Sequence, residues 1–171
     1  MDKLVEQGSR RLKWAYEHMP VIQELDRRYR EEQPLAGLKI GMALHTEAKT
    51  GMLAVTLANA GAKICLASCN PLSTDDSVAA ALRDEYGLDV HAKKYETQEE
   101  YYNNLNAVLN ISPDYVIDDG ADLITMAHTK RRDALKNIKG GNEETTTGVI
   151  RLKAMAAQGK LEFPVMDIND A

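Results

Sequence analysis

The hydrophobic positions follow a helical period at the start of the chain, then change to short apolar runs alternating with helical stretches. Leu4, Leu12, Ala15 and Met19 share one helix face, and Ile22, Leu25 and Tyr29 share another. Pro20 falls between them, where a first-turn proline is tolerated, and Pro34 and Gly37 close the pair. From Leu38 the pattern predicts a strand over Leu38–Leu44, then a helix opened by His45-Thr46-Glu47-Ala48-Lys49-Thr50 and ended by Gly61. Lys63–Ala67 reads as a second strand. Thr74 is the expected cap of the next helix, with Asp75 and Asp76 in its first turn and Gly87 at its end. Leu88–Ala92 is a third strand. Thr97 and Glu100 have capping-box spacing for a helix through Leu109. Tyr115–Asp118 is a fourth strand, a short fifth is expected near Ile138–Gly140, and Val165–Ile168 is a sixth beyond a helix from Thr146 to about Gln158.

Repeated strand–helix units with short apolar strands imply helices on both faces of a parallel sheet. The expected fold is therefore α/β: a Rossmann-like three-layer domain with a mostly parallel sheet over residues 38–171, preceded by an N-terminal helical segment over residues 1–37. At 171 residues, one well-packed domain is the expectation.

Composition narrows the function. A formal net charge of −5 argues against a phosphate-backbone partner, and Lys130-Arg131-Arg132 reads as solvated surface rather than a nucleic-acid patch. Met1-Asp2-Lys3 leads into an amphipathic pattern rather than a signal peptide, and no apolar run reaches membrane-spanning length. The chain has two cysteines, Cys65 and Cys69. On one extended strand they stand about 13 Å apart, beyond the reach of a disulfide. A structural zinc site built on a cysteine pair is equally unsupported, and a reducing cytoplasm fits best.

Candidate chemistry collects where the strands end. Parallel sheets bind ligands outside the carboxyl ends of their strands, and the exits here carry His45, Asn70, Asp119, Glu143-Glu144 and Asn169-Asp170. Glu143-Glu144-Thr145-Thr146-Thr147-Gly148 also starts a helix, where one threonine suffices as a cap. Three in a row suggest small hydrogen-bonding groups facing a polar ligand. Asp118, Asp119, Asp122 and His128 offer the donor types of a divalent-metal cluster, but their spacing matches no ligand motif, and Asp122 serves equally as a helix cap; the expectation is no metal. Neither a Gly-x-Ser-x-Gly elbow nor a Gly-x-Gly-x-x-Gly fingerprint is present.

Read together, Leu44-His45, Ser68-Cys69-Asn70-Pro71-Leu72-Ser73-Thr74, Asp118-Asp119-Gly120-Ala121-Asp122-Leu123, His128-Thr129-Lys130, Glu143-Glu144-Thr145-Thr146-Thr147-Gly148 and Phe163-Pro164-Val165 through Asn169-Asp170 resemble the substrate-binding domain of the S-adenosylhomocysteine hydrolases (adenosylhomocysteinases). The resemblance implies a redox-assisted elimination in the S-adenosylmethionine cycle. Bound NAD⁺ oxidises the ribose 3′-hydroxyl, the acidified C4′ proton is removed, homocysteine leaves C5′, water adds, and the ketone is reduced again. It assigns the C4′ proton to Asp119, leaving-group and water protons to His45, ribose hydroxyls to Glu144, and the surroundings of the 3′ carbon to Asn169. It places Glu47, Lys49 and Thr50 on the substrate and Thr145, Thr146 and Thr147 against the nicotinamide end of NAD. It also implies a homotetramer for the full-length protein, in keeping with the cytoplasmic location expected above.

Two departures qualify the resemblance. Glu47 and Lys49 stand where the family commonly has threonine and glutamate, the latter on the adenine amino edge. A lysine donates to a purine carbonyl but cannot accept from an exocyclic amine, so a preference for S-inosylhomocysteine, or tolerance of either base, is the alternative expectation. Asp75 likewise replaces a common glutamine. The resemblance implies that the family's NAD-binding Rossmann domain lies outside these 171 residues, whose last positions, Asn169-Asp170-Ala171, fall inside a family motif. The expectation is a fragment that is inactive alone, with a non-catalytic nucleoside-binding module or a split-enzyme subunit as the competing readings.

Overall fold

A computed structural model describes residues 2–170. Among these residues there are eight helices and six strands, and after an initial helix pair strands alternate with helical segments. The pair is α1 (Lys3–Glu17) and α2 (Pro20–Glu32). Then follow β1 (Lys39–Leu44), α3 (Ala48–Asn59), β2 (Lys63–Ser68), α4 (Asp76–Asp84), β3 (Asp89–His91), α5 (Gln98–Asn110) and β4 (Tyr115–Asp118). The chain continues through α6 (Asp122–Thr129), α7 (Arg132–Leu135), β5 (Gly140–Glu143), α8 (Thr146–Ala157) and β6 (Val165–Asp167). No helix among the described residues is long and apolar enough to cross a membrane.

The sheet order is β3-β2-β1-β4-β5-β6, and every pairing is parallel, so the sheet is wholly rather than mostly so. Each connection must then carry the chain back across a face of the sheet. α3 and α4 cover one face, where Met42, Ile64 and Leu66 pack with Val78 and Leu82. α5, α6 and α8 cover the other, around Val116, Leu105, Ile124 and Leu152. The winding direction changes between β1 and β4, which opens a crevice at their carboxyl ends.

The helix pair shares the first of these cores. Val5, Leu12 and Ala15 of α1 are buried against α3 and α4, whereas Leu4, expected on the same face, is exposed. α1 lies so close to α4 that a Cβ on Gly8 would sit 1.9 Å from the Ser77 carbonyl oxygen. Buried Asp26 of α2 accepts from Asn59 Nδ2 at the end of α3 (2.6 Å) and from Arg30 (3.0 Å).

Local signals held where they were sharp. Thr97 and Glu100 form the complete capping box of α5. Two readings shift. Asp75, not Thr74, caps α4, because the Thr74 hydroxyl is buried and donates to Ser68 Oγ (2.8 Å). The fifth strand runs Gly140–Glu143, later than expected. Paired glycines carry no hydrophobic signal, yet here a Cβ on Gly141 would meet Val116 Cγ2 at 3.0 Å.

Candidate functional site

At the ends of β1 and β4 a cleft of about 680 Å³ opens between the sheet and the helix pair. His45 leaves β1 and Asp119 leaves β4, and their side chains meet with Nε2 3.3 Å from Oδ2. Glu144 joins them from the end of β5, anchored by its backbone N–H donating to the Asp118 carbonyl (3.0 Å).

Side-chain alternation decides which acid of each pair reaches the cleft. Asp118, the last residue of β4, is fully buried. Its Oδ2 accepts from the Ile124 N–H (2.8 Å) and its Oδ1 from the Asp119 N–H (3.0 Å). The residue before α6 is Ala121, which has no capping group, so Asp118 supplies the acceptor from below. Asp122, a candidate cap in the sequence, instead pairs with Arg151 and accepts from Tyr101 Oη (3.0 Å). Burial pushes Asp118 up to about 8.

Glu143 repeats this arrangement at the end of β5. It is fully buried, and its carboxylate accepts from the backbone N–H groups of Gly120 (2.6 Å), Ala121 (3.0 Å) and Thr145 (3.1 Å). Burial raises its pKa, and the three N–H donors oppose that rise. Glu143 thereby holds the 119–121 turn, in which Gly120 and Ala121 both have positive φ (104° and 61°). Asp119 and Glu144 are left free to face the cleft.

The imidazole of His45 is oriented from behind. Ser73 Oγ donates to the Asn70 carbonyl (3.0 Å), so it accepts from His45 Nδ1–H. That leaves Nε2 opposite Asp119, with room for one shared proton between two acceptors. The Cys69 thiol, pushed up by burial and by the Asp119 carboxylate, remains protonated and donates to Asp119 Oδ2 (3.6 Å). Asn70, counted among the strand exits, is consumed by its own loop: Oδ1 accepts from the Leu72 N–H (2.9 Å).

The cleft's other wall comes from elements in which the sequence showed only packing. Met19 and Ile22 of the helix pair and Leu53 of α3 give an apolar surface opposite the polar groups. Glu47, Lys49 and Thr50 also line it. Glu47 is partly committed, its side chain capping α3 by accepting from the Thr50 N–H (2.8 Å). Lys49 is exposed at the rim. Cys69 and Ser73 lie in a segment that carries the resemblance, but neither they nor the apolar wall had a role assigned from sequence, because nothing local distinguishes them from loop and core residues.

The remaining expected residues lie elsewhere. Asn169 follows edge strand β6, three strands from β1 and so about 14 Å across the sheet, and its side-chain amide donates to Asp170 (3.0 Å). Thr145, Thr146 and Thr147 open α8, with Thr146 and Thr147 exposed and the Thr145 hydroxyl making no capping bond. His128, from the suggested metal cluster, is buried on structural duty: Nδ1–H donates to the Ile124 carbonyl (2.8 Å) and Nε2 accepts from the Glu162 N–H (3.0 Å).

Comparison with known proteins points the same way. The family model described as S-adenosyl-L-homocysteine hydrolase matches residues 2–134 and 129–171. The adenosylhomocysteinase of Thermoplasma volcanium is 57% identical over 164 residues, which cover 96% of this chain and 40% of that protein. The S-inosyl-L-homocysteine hydrolase of Methanocaldococcus jannaschii is 58% identical over 168 residues, 98% of this chain and 40% of that protein. A second S-inosyl-L-homocysteine hydrolase, from Methanopyrus kandleri, is 49% identical, with 98% of this chain and 39% of that protein covered. The chain thus spans about 40% of the length of the curated relatives it matches. With the matched segments together running from residue 2 to residue 171, this chain belongs to the S-adenosyl-L-homocysteine hydrolase family.

Proposed function

We propose that residues 38–171 form the nucleoside-binding half of a thioether hydrolase acting on S-adenosylhomocysteine or S-inosylhomocysteine, with residues 1–37 adding the apolar wall. The single observation that carries this reading is the meeting of His45, Asp119 and Glu144 from three strand ends in one cleft. A purine ring suits the surface of Met19, Ile22 and Leu53, since nucleoside sites pair an apolar face with a few placed polar groups. The exposed Glu144 carboxylate accepts from ribose hydroxyls. Asp119 takes the C4′ proton and holds it within reach of His45. His45 Nε2, oriented through Nδ1 by Ser73, passes a proton to the leaving sulfur and accepts one from the incoming water. Thr145, Thr146 and Thr147, at the start of α8, would hold the carboxamide end of NAD. When bound, NAD supplies the hydride acceptor that makes C4′–H acidic.

Lys49 favours a second reading within the same chemistry. Its ammonium is a donor at the cleft rim, which complements the carbonyl of hypoxanthine and repels no lone pair there. Relatives named for each substrate match at similar identity. Titration calorimetry of the chain with adenosine and inosine tests both readings: binding of at least one nucleoside, lost in Glu144→Ala, is expected. Absence of binding by either nucleoside would sink the assignment of the cleft. Turnover of either thioether by the 171-residue chain with NAD⁺ added is expected to be undetectable, because among the described residues this reading assigns only Thr145, Thr146 and Thr147 to the cofactor.

A further inference from the structure

The free edge of the sheet carries a second group of metal-ligating side chains, remote in role from the cleft. β3 is the edge strand, and its ladder sets Cys65 of β2 opposite Asp89 and Ala67 opposite His91. Val90 packs into the core beneath α4 with Ile64 and Leu66. Alternation therefore places Asp89 and His91 on the other face, where Cys65 lies beside Leu105 of α5. A thiol, a carboxylate and an imidazole nitrogen come within 4.8 Å of one another there. His91 Nε2 is 2.8 Å from Asp89 Oδ1, and these two side chains are 37% and 47% exposed over the buried Cys65. The proposed hydrolase chemistry uses none of the three, and this inference does not depend on it.

We propose that Cys65, Asp89 and His91 bind a thiophilic divalent cation of the Zn²⁺ type, with water as the fourth ligand. Zinc takes sulfur, nitrogen and oxygen donors in a tetrahedron at about 2.0–2.3 Å, so donors already gathered this closely need side-chain rotation and no backbone movement. Both strands that supply them are fixed by the ladder, and the exposed pair leaves an entry path. On binding, the Cys65 S–H bond breaks, its proton goes to solvent, and a metal–sulfur bond forms. The Asp89–His91 contact is replaced by one metal bond to each. Without a cation, burial and the adjacent Asp89 carboxylate keep the thiol protonated. The bound ion staples a three-residue edge strand, otherwise held along one side only, to its neighbour.

His45, Cys69 and Asp119 present the same donor types at the same closeness, so the test is made in a Cys69→Ser chain, which retains Cys65 as its one thiol. Titration with Co²⁺ is expected to give a stoichiometric thiolate-to-cobalt charge-transfer band, displaced by Zn²⁺. Adding Cys65→Ser removes it, and adding His91→Gln weakens Zn²⁺ binding at least tenfold. His91 is partly exposed, so that variant decides the matter even if Cys65→Ser fails to fold. No band in the Cys69→Ser chain, or unchanged affinity after His91→Gln, overturns the proposal.

Discussion

Glu143 and Gly148 give the sharpest test of how the site is held. A Cβ on Gly148 would stand 2.1 Å from Glu143 Oε1, and its three nearest atoms would all belong to that carboxylate. The carboxylate cannot swing aside cheaply, because it is buried and accepts three backbone N–H groups. Gly148→Ala alone therefore forces overpacking worth about 1–3 kcal/mol, against a gain of about 1 kcal/mol from placing alanine in the helix. Glu143→Ala alone strands three donors at about 1 kcal/mol or more each, offset in part by no longer burying a carboxylate. In the double variant the clash has gone, so Gly148→Ala becomes stabilising by about 1 kcal/mol. The double-mutant cycle should show a coupling of about 2 kcal/mol, measured by urea unfolding at pH 7 through the shift in midpoint at constant m-value. Additivity within about 0.5 kcal/mol would refute the reasoning.

Other outcomes follow from the same geometry. Asp118, pushed up to about 8 in the folded chain, binds its proton more tightly folded than unfolded, where a carboxyl titrates near 4. Its contribution is full below about pH 4 and is lost as pH rises towards 8, at no more than about 1.4 kcal/mol per pH unit. Urea midpoints at pH 5 and pH 7.5 should therefore lie closer together in Asp118→Asn than in the parent, and an unchanged gap would count against that titration. Lys49→Glu, which restores an acceptor at the cleft rim, should shift nucleoside preference from inosine towards adenosine by about tenfold, one good hydrogen bond's worth. Equal calorimetric affinity ratios before and after the change would remove Lys49 from base selection.

How far the chain could be read without coordinates depended on whether the signal was local. The Thr97–Glu100 box, the strand starts at Lys63 and Tyr115 and the overall β–α alternation were legible because capping and periodicity act within a few residues. His45, Asp119 and Glu144 were also legible, since a parallel sheet sends every strand exit to one edge.

What only the tertiary structure decided was the division of labour between neighbouring residues. Asp118 and Asp119, like Glu143 and Glu144, are chemically alike in sequence, but alternation at a strand end buries the first as a backbone anchor and turns the second into the cleft. Packing of the leading helices on α3 and α4 brought Met19 and Ile22 over the site, and strand order left Asn169 at the far edge and set Cys65 beside residues two dozen positions later. Such juxtapositions are fixed by which strands pair and in what register, a property of the whole sheet that no window of sequence carries.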